Sequence, residues 1–228
     1  MIQLGLLPAA WMYSVPRDKF ICPSCLKVDL LKVPSHPQHC LKLRRTAILR
    51  RHDGLAAEIQ TMAWVNKVPC GWTPYLNNGK ATDLGFNFNG QLVQADITIT
   101  SPEAPSTLAH GNSDAPLSAA IARKKSKIKK YSDLVEAEGD IFIPIAVETS
   151  GAYIPEVGIL MKRIANAGDE NQAIGALSTK QIRDCFAVSV QTGNALVQLE
   201  ALNKFRSLRP DWIVGRKRGG RLLPGPYR

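Results

Sequence analysis

The chain predicts an α/β fold preceded by a small Cys/His module, on three observations. Residues 69–148 alternate strand-like runs with one basic helix, and the part that follows is helical in pattern until a Gly/Arg-rich end. Cys, His and Pro crowd residues 20–40. Changes of composition mark the zones, and no internal repeat is present. We divide the chain into an N-terminal segment with the Cys/His module (1–41), one α/β domain (42–210) and a basic tail (211–228).

The 228 residues suffice for one mid-sized domain and a small module, and 45% hydrophobic content is ordinary for a globular core. Lys and Arg number 29 against 19 Asp and Glu, a net charge of +10 with pI near 9.5, which favours a polyanionic partner. Nucleic acid is the leading candidate. A membrane is not expected: no apolar run approaches the ~20 residues a span needs. The opening 1–20 has neither the charged n-region nor the unbroken h-region of a signal peptide, so an intracellular, nuclear location is expected. Five cysteines, an odd number in such a chain, argue against a disulfide framework and for metal binding.

Cys22, Cys25, His36 and Cys40 read C-x2-C-x10-H-x3-C, a spacing that closes a tetrahedral zinc site around a short loop. His39 competes with His36 as a ligand, although it adjoins Cys40. Four protein ligands leave no position for water, so this zinc would be structural. Cys70 and Cys185 read as buried or incidental. Beyond the module, Ile48, Leu55, Ile59 and Met62 recur at helical spacing, while Arg44, Arg45, Arg50 and Arg51 fall on other sides as a basic flank suited to phosphates.

The segment TDLGFNFNGQLVQADITI, Thr82 to Ile99, is two alternating strands around Asn89-Gly90. A two-residue type I′ turn there pairs Phe88 with Gln91, Phe86 with Val93, Leu84 with Ala95, and Asp83 with Asp96. Apolar partners then meet on one face and the two carboxylates on the other, and the second strand, Gln91–Thr100, should be half-buried. Like charges directly opposed destabilise a sheet, and Mg²⁺, which takes oxygen ligands, would remove that penalty. A slipped register, or Asp83 as a cap at the start of the strand, are the alternatives.

Asp114 and Pro116 mark a helix start, and Gly139 its stop. At 100° per residue Leu117, Ile121, Ile128 and Val135 form its apolar stripe, with Lys124 inside and Lys127 on the flank beside Tyr131. Either lysine could reach over the sheet to orient water and offset charge on a phosphate; snorkelling stems are the alternative. IFIPIAVE (141–148) is a third strand, 178–205 a long helix despite Gly193, and the 215–228 tail is expected to order only on a partner.

The order of these parts (the CCHC module, RRHD opening a helix, Asp83, ADITITSPEAPS, KSKIKKY, FIPIAVETSGA) resembles the C-terminal region of non-LTR retrotransposon polyproteins that carry a restriction-like endonuclease. The resemblance covers residues 20–155. It implies a PD-(D/E)XK fold, a mixed sheet flanked by helices that hydrolyses DNA phosphodiesters with Mg²⁺, and a zinc knuckle that helps grip DNA. It makes Asp83 and Asp96 the metal-binding acids and Lys127, with Lys130 and Tyr131, the displaced lysine element, in preference to Lys124. Thr98 stands where the usual motif has its lysine, and Thr82 where it has a proline. His52 and Glu58 lie on the helix this fold places beside the site, Glu58 as a possible metal aid or a surface residue, and Glu148 takes a structural or peripheral role. The implied activity is nicking of DNA, with RNA as a variant, to leave a 3′ hydroxyl that primes reverse transcription. A zinc-containing nucleic-acid-binding protein that no longer cuts, or a retroelement fragment, is the alternative.

Overall fold

The structure, a computed structural model, describes residues 21–72, 76, 79–111 and 115–208. Residues 1–20 and the tail 211–228 lie outside the described residues, as does Asp114. After short helical turns between His36 and Ile48, the elements run α1 (Leu49–Val65), β1 (Cys70–Gly71), β2 (Leu84–Phe88), β3 (Gln91–Thr100), α2 (Pro105–Leu108), α3 (Ser118–Glu136), β4 (Ile141–Glu148), α4 (Pro155–Glu170) and α5 (Thr179–Leu208). The fold is α/β: a four-stranded mixed sheet in the order β1-β2-β3-β4, flanked by helices. Strands β1, β2 and β3 are antiparallel neighbours, and β4 runs parallel to β3 after the α3 crossover.

The hairpin forms in the expected register, with Leu84 opposite Ala95, Phe86 opposite Val93 and Phe88 opposite Gln91. Asn89 and Gly90 both have positive φ, 53° and 90°, as a type I′ turn requires, and Asn87 Oδ1 accepts the Gly90 N–H at 2.7 Å. Val93, Ala95 and Ile97 share one core with Leu55 and Ile59 of α1, Leu160 and Ile164 of α4, and Phe186 of α5. Gln94 and Asp96 turn to the other face, as strand alternation dictates. That face is not open, contrary to the half-buried strand expected: α3 covers it, and Gln94 and Asp96 are buried.

The phase of α3 also differs from the expected stripe. Ala119, Ala120, Tyr131 and Val135 are buried, while Ile121 and Ile128 are 40% and 38% exposed. The alanine pair lets the helix settle close, and the spacing of Ala120, Lys124, Lys127, Tyr131 and Val135 lays one continuous face over the sheet. The two lysines therefore sit on the packed side. Their ammonium groups are accommodated by acids: Lys127 pairs with Asp96 and Lys124 with Glu156 of α4.

The Cys/His loop does not stand apart from the α/β body. Cys22, Leu30, Cys40, Leu43 and Ala47 form a second core with Val197 and Ala201 of α5, so the loop packs against the end of the chain's longest helix. Among the described residues no helix is long and apolar enough to cross a membrane.

Candidate functional site

The acidic centre is built just before β2 and in the middle of β3. Asp83 immediately precedes β2, outside the paired ladder, which ends at Leu84 opposite Ala95, so the expected Asp83–Asp96 pair is not part of it; the Asp83 N–H donates to the Ala95 carbonyl at 2.9 Å, and its Oδ2 accepts the Ile97 N–H at 2.6 Å. Capping of the strand is thus one of its roles. The same Oδ2 lies 3.1 Å from His52 Nε2, and His52 Nδ1 lies 3.1 Å from Asp53 Oδ1. Carboxylate oxygens of ionised acids only accept, so both ring nitrogens donate and the ring is an imidazolium. Burial alone would lower the His52 pKa, but Asp83 and Asp53 outweigh it and raise it to about 9. Burial pushes the Asp83 carboxyl up; the His52 and Ile97 hydrogen bonds and the His52 and Lys127 charges reverse that and hold it below the usual range.

Asp96 is 3% exposed, and Lys127 Nζ stands 2.5 Å from its Oδ2. Burial raises its pKa, Lys127 opposes the rise, and the charge of Asp83 adds to it, so the two carboxylates feel each other. Tyr131 completes the wall. Its hydroxyl accepts from Lys130 Nζ at 2.5 Å, and the Lys130 ammonium lies 4.3 Å from the ring centroid. Burial, then Asp96, pushes the phenol up to about 12. Two cations, His52 and Lys127, balance two carboxylates in one small volume.

The second centre is the Cys/His loop. Cys22 N–H bonds the Val28 carbonyl at 2.7 Å and Leu26 N–H bonds the Cys22 carbonyl at 2.8 Å, with Leu26 at φ 57°, so the chain turns back between the first two thiols. The 3₁₀ turn His36–His39 brings in the rest. The ligand atoms of Cys22, Cys25, His36 and Cys40 all lie within 4.8 Å of one another. Cys22 Sγ and Cys40 Sγ are 3.9 Å apart, and Cys25 Sγ is 3.2 Å from His36 Nε2. Zn–S bonds of about 2.3 Å at tetrahedral angles put sulfurs roughly 3.8 Å apart. The donor set and its spacing therefore fit a metal such as zinc. His39, the competing ligand, is outside this group and packs edge-on to His36, ring centroids 5.3 Å apart.

A buried polar hub ties the loop to the body. Arg51 Nη1 donates to Gln38 Oε1 at 2.7 Å and to Asn194 Oδ1 at 3.0 Å, and Nη2 to the Gln38 carbonyl at 3.4 Å. Gln38 Nε2 bonds the Asn194 carbonyl at 3.1 Å, and Asn194 Nδ2 the Thr149 carbonyl at 2.7 Å. Burial lowers the Arg51 pKa to about 10. Arg51 is therefore corrected: at 3% exposed, with its guanidinium spent on Gln38 and Asn194, it cannot serve a phosphate. Arg44, Arg45 and Arg50 are exposed, and Arg50 pairs with Glu200 at 3.6 Å.

Two further expectations change. Lys124 is engaged by Glu156, leaving Lys127 as the lysine at the acids. Glu58 faces the groove between α1 and α5, beside Asp184 and Cys185, and does not join the carboxylates. Glu148 is buried at the end of β4. Sequence reasoning placed His52 near the site without giving it a partner; its position on the α1 turn after the arginines held no further signal. It missed Gln38 and Asn194 altogether, because neither carries a charge or a motif.

No protein family matches this chain, and no curated protein matches it.

Proposed function

We propose that the protein is a metal-dependent DNA endonuclease of the restriction-like type, derived from a retroelement, with a zinc-stabilised Cys/His loop. The observation that carries the reading is the Asp83–Asp96–Lys127 constellation, two interacting carboxylates, one just before β2 and one in β3, with an ammonium 2.5 Å from the buried one. Asp83 and Asp96 would hold Mg²⁺, which when bound activates a water and neutralises charge on the leaving oxygen of a phosphodiester.

The protein's own groups have separable tasks. Ile97 N–H and His52 fix the Asp83 carboxylate through one oxygen. Tyr131 stands beside Asp96 and, through its contact with Lys130, keeps that helix turn basic. Lys127, at the rim of the acids, orients the attacking water and offsets charge building on the phosphate. Arg44, Arg45, Arg50 and Lys130 follow the nucleic-acid backbone, so affinity falls with salt. DNA is the substrate of this reading, with RNA as its variant, and a nuclear location follows from it.

A second reading, a nucleic-acid-binding protein that no longer cuts, is favoured by one feature. His52 and Lys127 already neutralise both carboxylates, so the pair is satisfied without a cation. Plasmid nicking with Mg²⁺ decides between them. Native protein should nick, and Asp96→Ala and Lys127→Ala should each lower the rate at least about 100-fold, the scale of a lost charge stabiliser. Cleavage equal in all three removes the proposed chemistry; no cleavage, with salt-sensitive DNA binding retained, selects the second reading.

A further inference from the structure

Two exposed indoles and a basic cavity adjoin in the chain around the end of α1. Trp64, in the last turn of α1, and Trp72, just past β1, are 56% and 57% exposed. Trp64 is held in place: its Nε1–H donates to the Cys70 carbonyl at 2.8 Å, which also accepts Gln60 Nε2 at 3.0 Å. Beside them a cavity of about 770 Å³ opens between the hairpin tip and α4. Lys67, Lys162 and Arg163 line it, with Asn87 and Asn89 of the turn, and Glu170 is the one acid among the described lining residues. Arg163 lies 4.2 Å over the Phe88 ring, so its guanidinium is preset rather than free to wander. One short stretch of chain joins the indoles to the cavity, whose wall they do not themselves line: Lys67 N–H donates to the Trp64 carbonyl at 3.0 Å, and Pro69, which lines the cavity, precedes Cys70.

Cations here, Lys67 just past the end of α1 and Lys162 and Arg163 midway along α4, are expected of so basic a chain. Two half-exposed indoles are not, since large rings are normally withdrawn from water. Cations and amides suit phosphate oxygens, whereas indole faces suit the π-faces of bases. In a duplex those base faces are already stacked on one another; an unpaired strand offers them.

We propose that this surface binds single-stranded nucleic acid, with Lys67, Lys162 and Arg163 on the phosphates and Trp64 and Trp72 stacked on bases. It lies apart from the acidic centre, because the hairpin tip and α4 border it, whereas Asp83 immediately precedes β2 and Asp96 faces α3. The inference rests on the nucleic-acid-binding part of the function proposed above and not on cleavage.

The test is fluorescence anisotropy of the full chain with labelled dT12, rU12 and a matched duplex, without added divalent metal. Trp64→Ala and Trp72→Ala should each weaken dT12 binding at least about fivefold, with less effect on duplex. Trp72→Phe should recover most of the loss, because stacking needs a ring rather than an indole. Lys67→Glu with Lys162→Glu should flatten the salt dependence by about 1.4 in log–log slope, near 0.7 per lost single-strand contact. Lys180→Glu, the same charge change on exposed α5 surface, should act much less. Equal rU12 and dT12 losses mean that shared phosphate and stacking chemistry is read; a loss confined to one of them means that the 2′-hydroxyl or the thymine methyl is read as well. Either outcome supports the site. Native binding with unaffected tryptophan variants, or a Lys180→Glu loss equal to that of Lys162→Glu, overturns this inference and leaves the proposed function standing. Absence of binding to every probe overturns both.

Discussion

Replacing Gly193 by alanine isolates what the buried hub contributes. In the middle of a 30-residue helix the change should help, since alanine is favoured over glycine by about 1 kcal/mol in a helix interior. Here a Cβ would stand 2.5 Å from Arg51 Cγ and 3.3 Å from Arg51 Cβ. Those atoms are the root of the side chain and not its flexible end, so Arg51 must leave. With it go the bonds to Gln38 and Asn194, and a guanidinium or its former acceptors are left buried without partners. Losing such charge-assisted bonds costs roughly 3–5 kcal/mol, and subtracting the helix gain leaves a net destabilisation of about 2–4 kcal/mol. For a chain of this size that is a Tm lower by roughly 4–16 °C. Gly54→Ala is the matched control: it is also inside a helix, α1, and its Cβ would meet nothing within 4 Å, so it should stabilise by about 1 kcal/mol. Urea denaturation of both variants gives the two values. Gly193→Ala as stable as native, with an unchanged m-value, would refute the packing argument for Arg51.

The Cys/His loop should carry one zinc per chain by elemental analysis, and Cys40→Ser should abolish it and lower Tm, because the loop shares a core with Val197 and Ala201. A metal-free chain of undiminished Tm would count against this. The acidic centre should show a pH signature. The His52 pKa rises from 6.5 to about 9 on folding, so its stabilisation is complete below pH 6.5 and lost as pH climbs through 9, at most about 3 kcal/mol. The lowered Asp83 pKa has the opposite sign, its share vanishing as pH falls below the ordinary carboxylate range. Chemical denaturation between pH 6.5 and 9.5 should therefore show stability falling in native protein and a flatter profile in His52→Gln; equal profiles sink the assignment.

What could be read from the chain beforehand was the part governed by local rules. An Asn-Gly turn flanked by alternating apolar residues sets one register, and Leu84, Phe86, Val93 and Ala95 meet as that register requires. The CCHC spacing likewise found its four ligands, because a short loop brings them together. The failures share a cause in distant contacts. Arg51 looked like one more member of a basic flank, yet its partner Asn194 lies 143 residues on, and only the approach of α5 turns the guanidinium inward. The polar face of β3 looked solvated because nothing in its alternation announces the cover of α3. Within α3 the larger isoleucines drew the stripe, whereas Ala119 and Ala120 are the residues that dock.

The first of those errors lies in the first turns of α1, where consecutive residues serve different masters. Arg51 points to the Cys/His loop and α5, while His52, about 100° further round the helix, points to Asp83. A helix segment gripped on two sides cannot rotate to improve one contact without spoiling the other. Gln38 lies between His36 and Cys40, so the loop that gathers the metal ligands also presents the acceptor that fixes Arg51. The orientation of His52 at the acidic centre is thus set partly by Gln38, a residue of the Cys/His loop. Gly193 makes the arrangement possible, since any side chain there would occupy the path of Arg51. A helix-breaking residue inside the longest helix is, in this fold, the space through which the Cys/His loop and the sheet's carboxylates are held by one α1 turn.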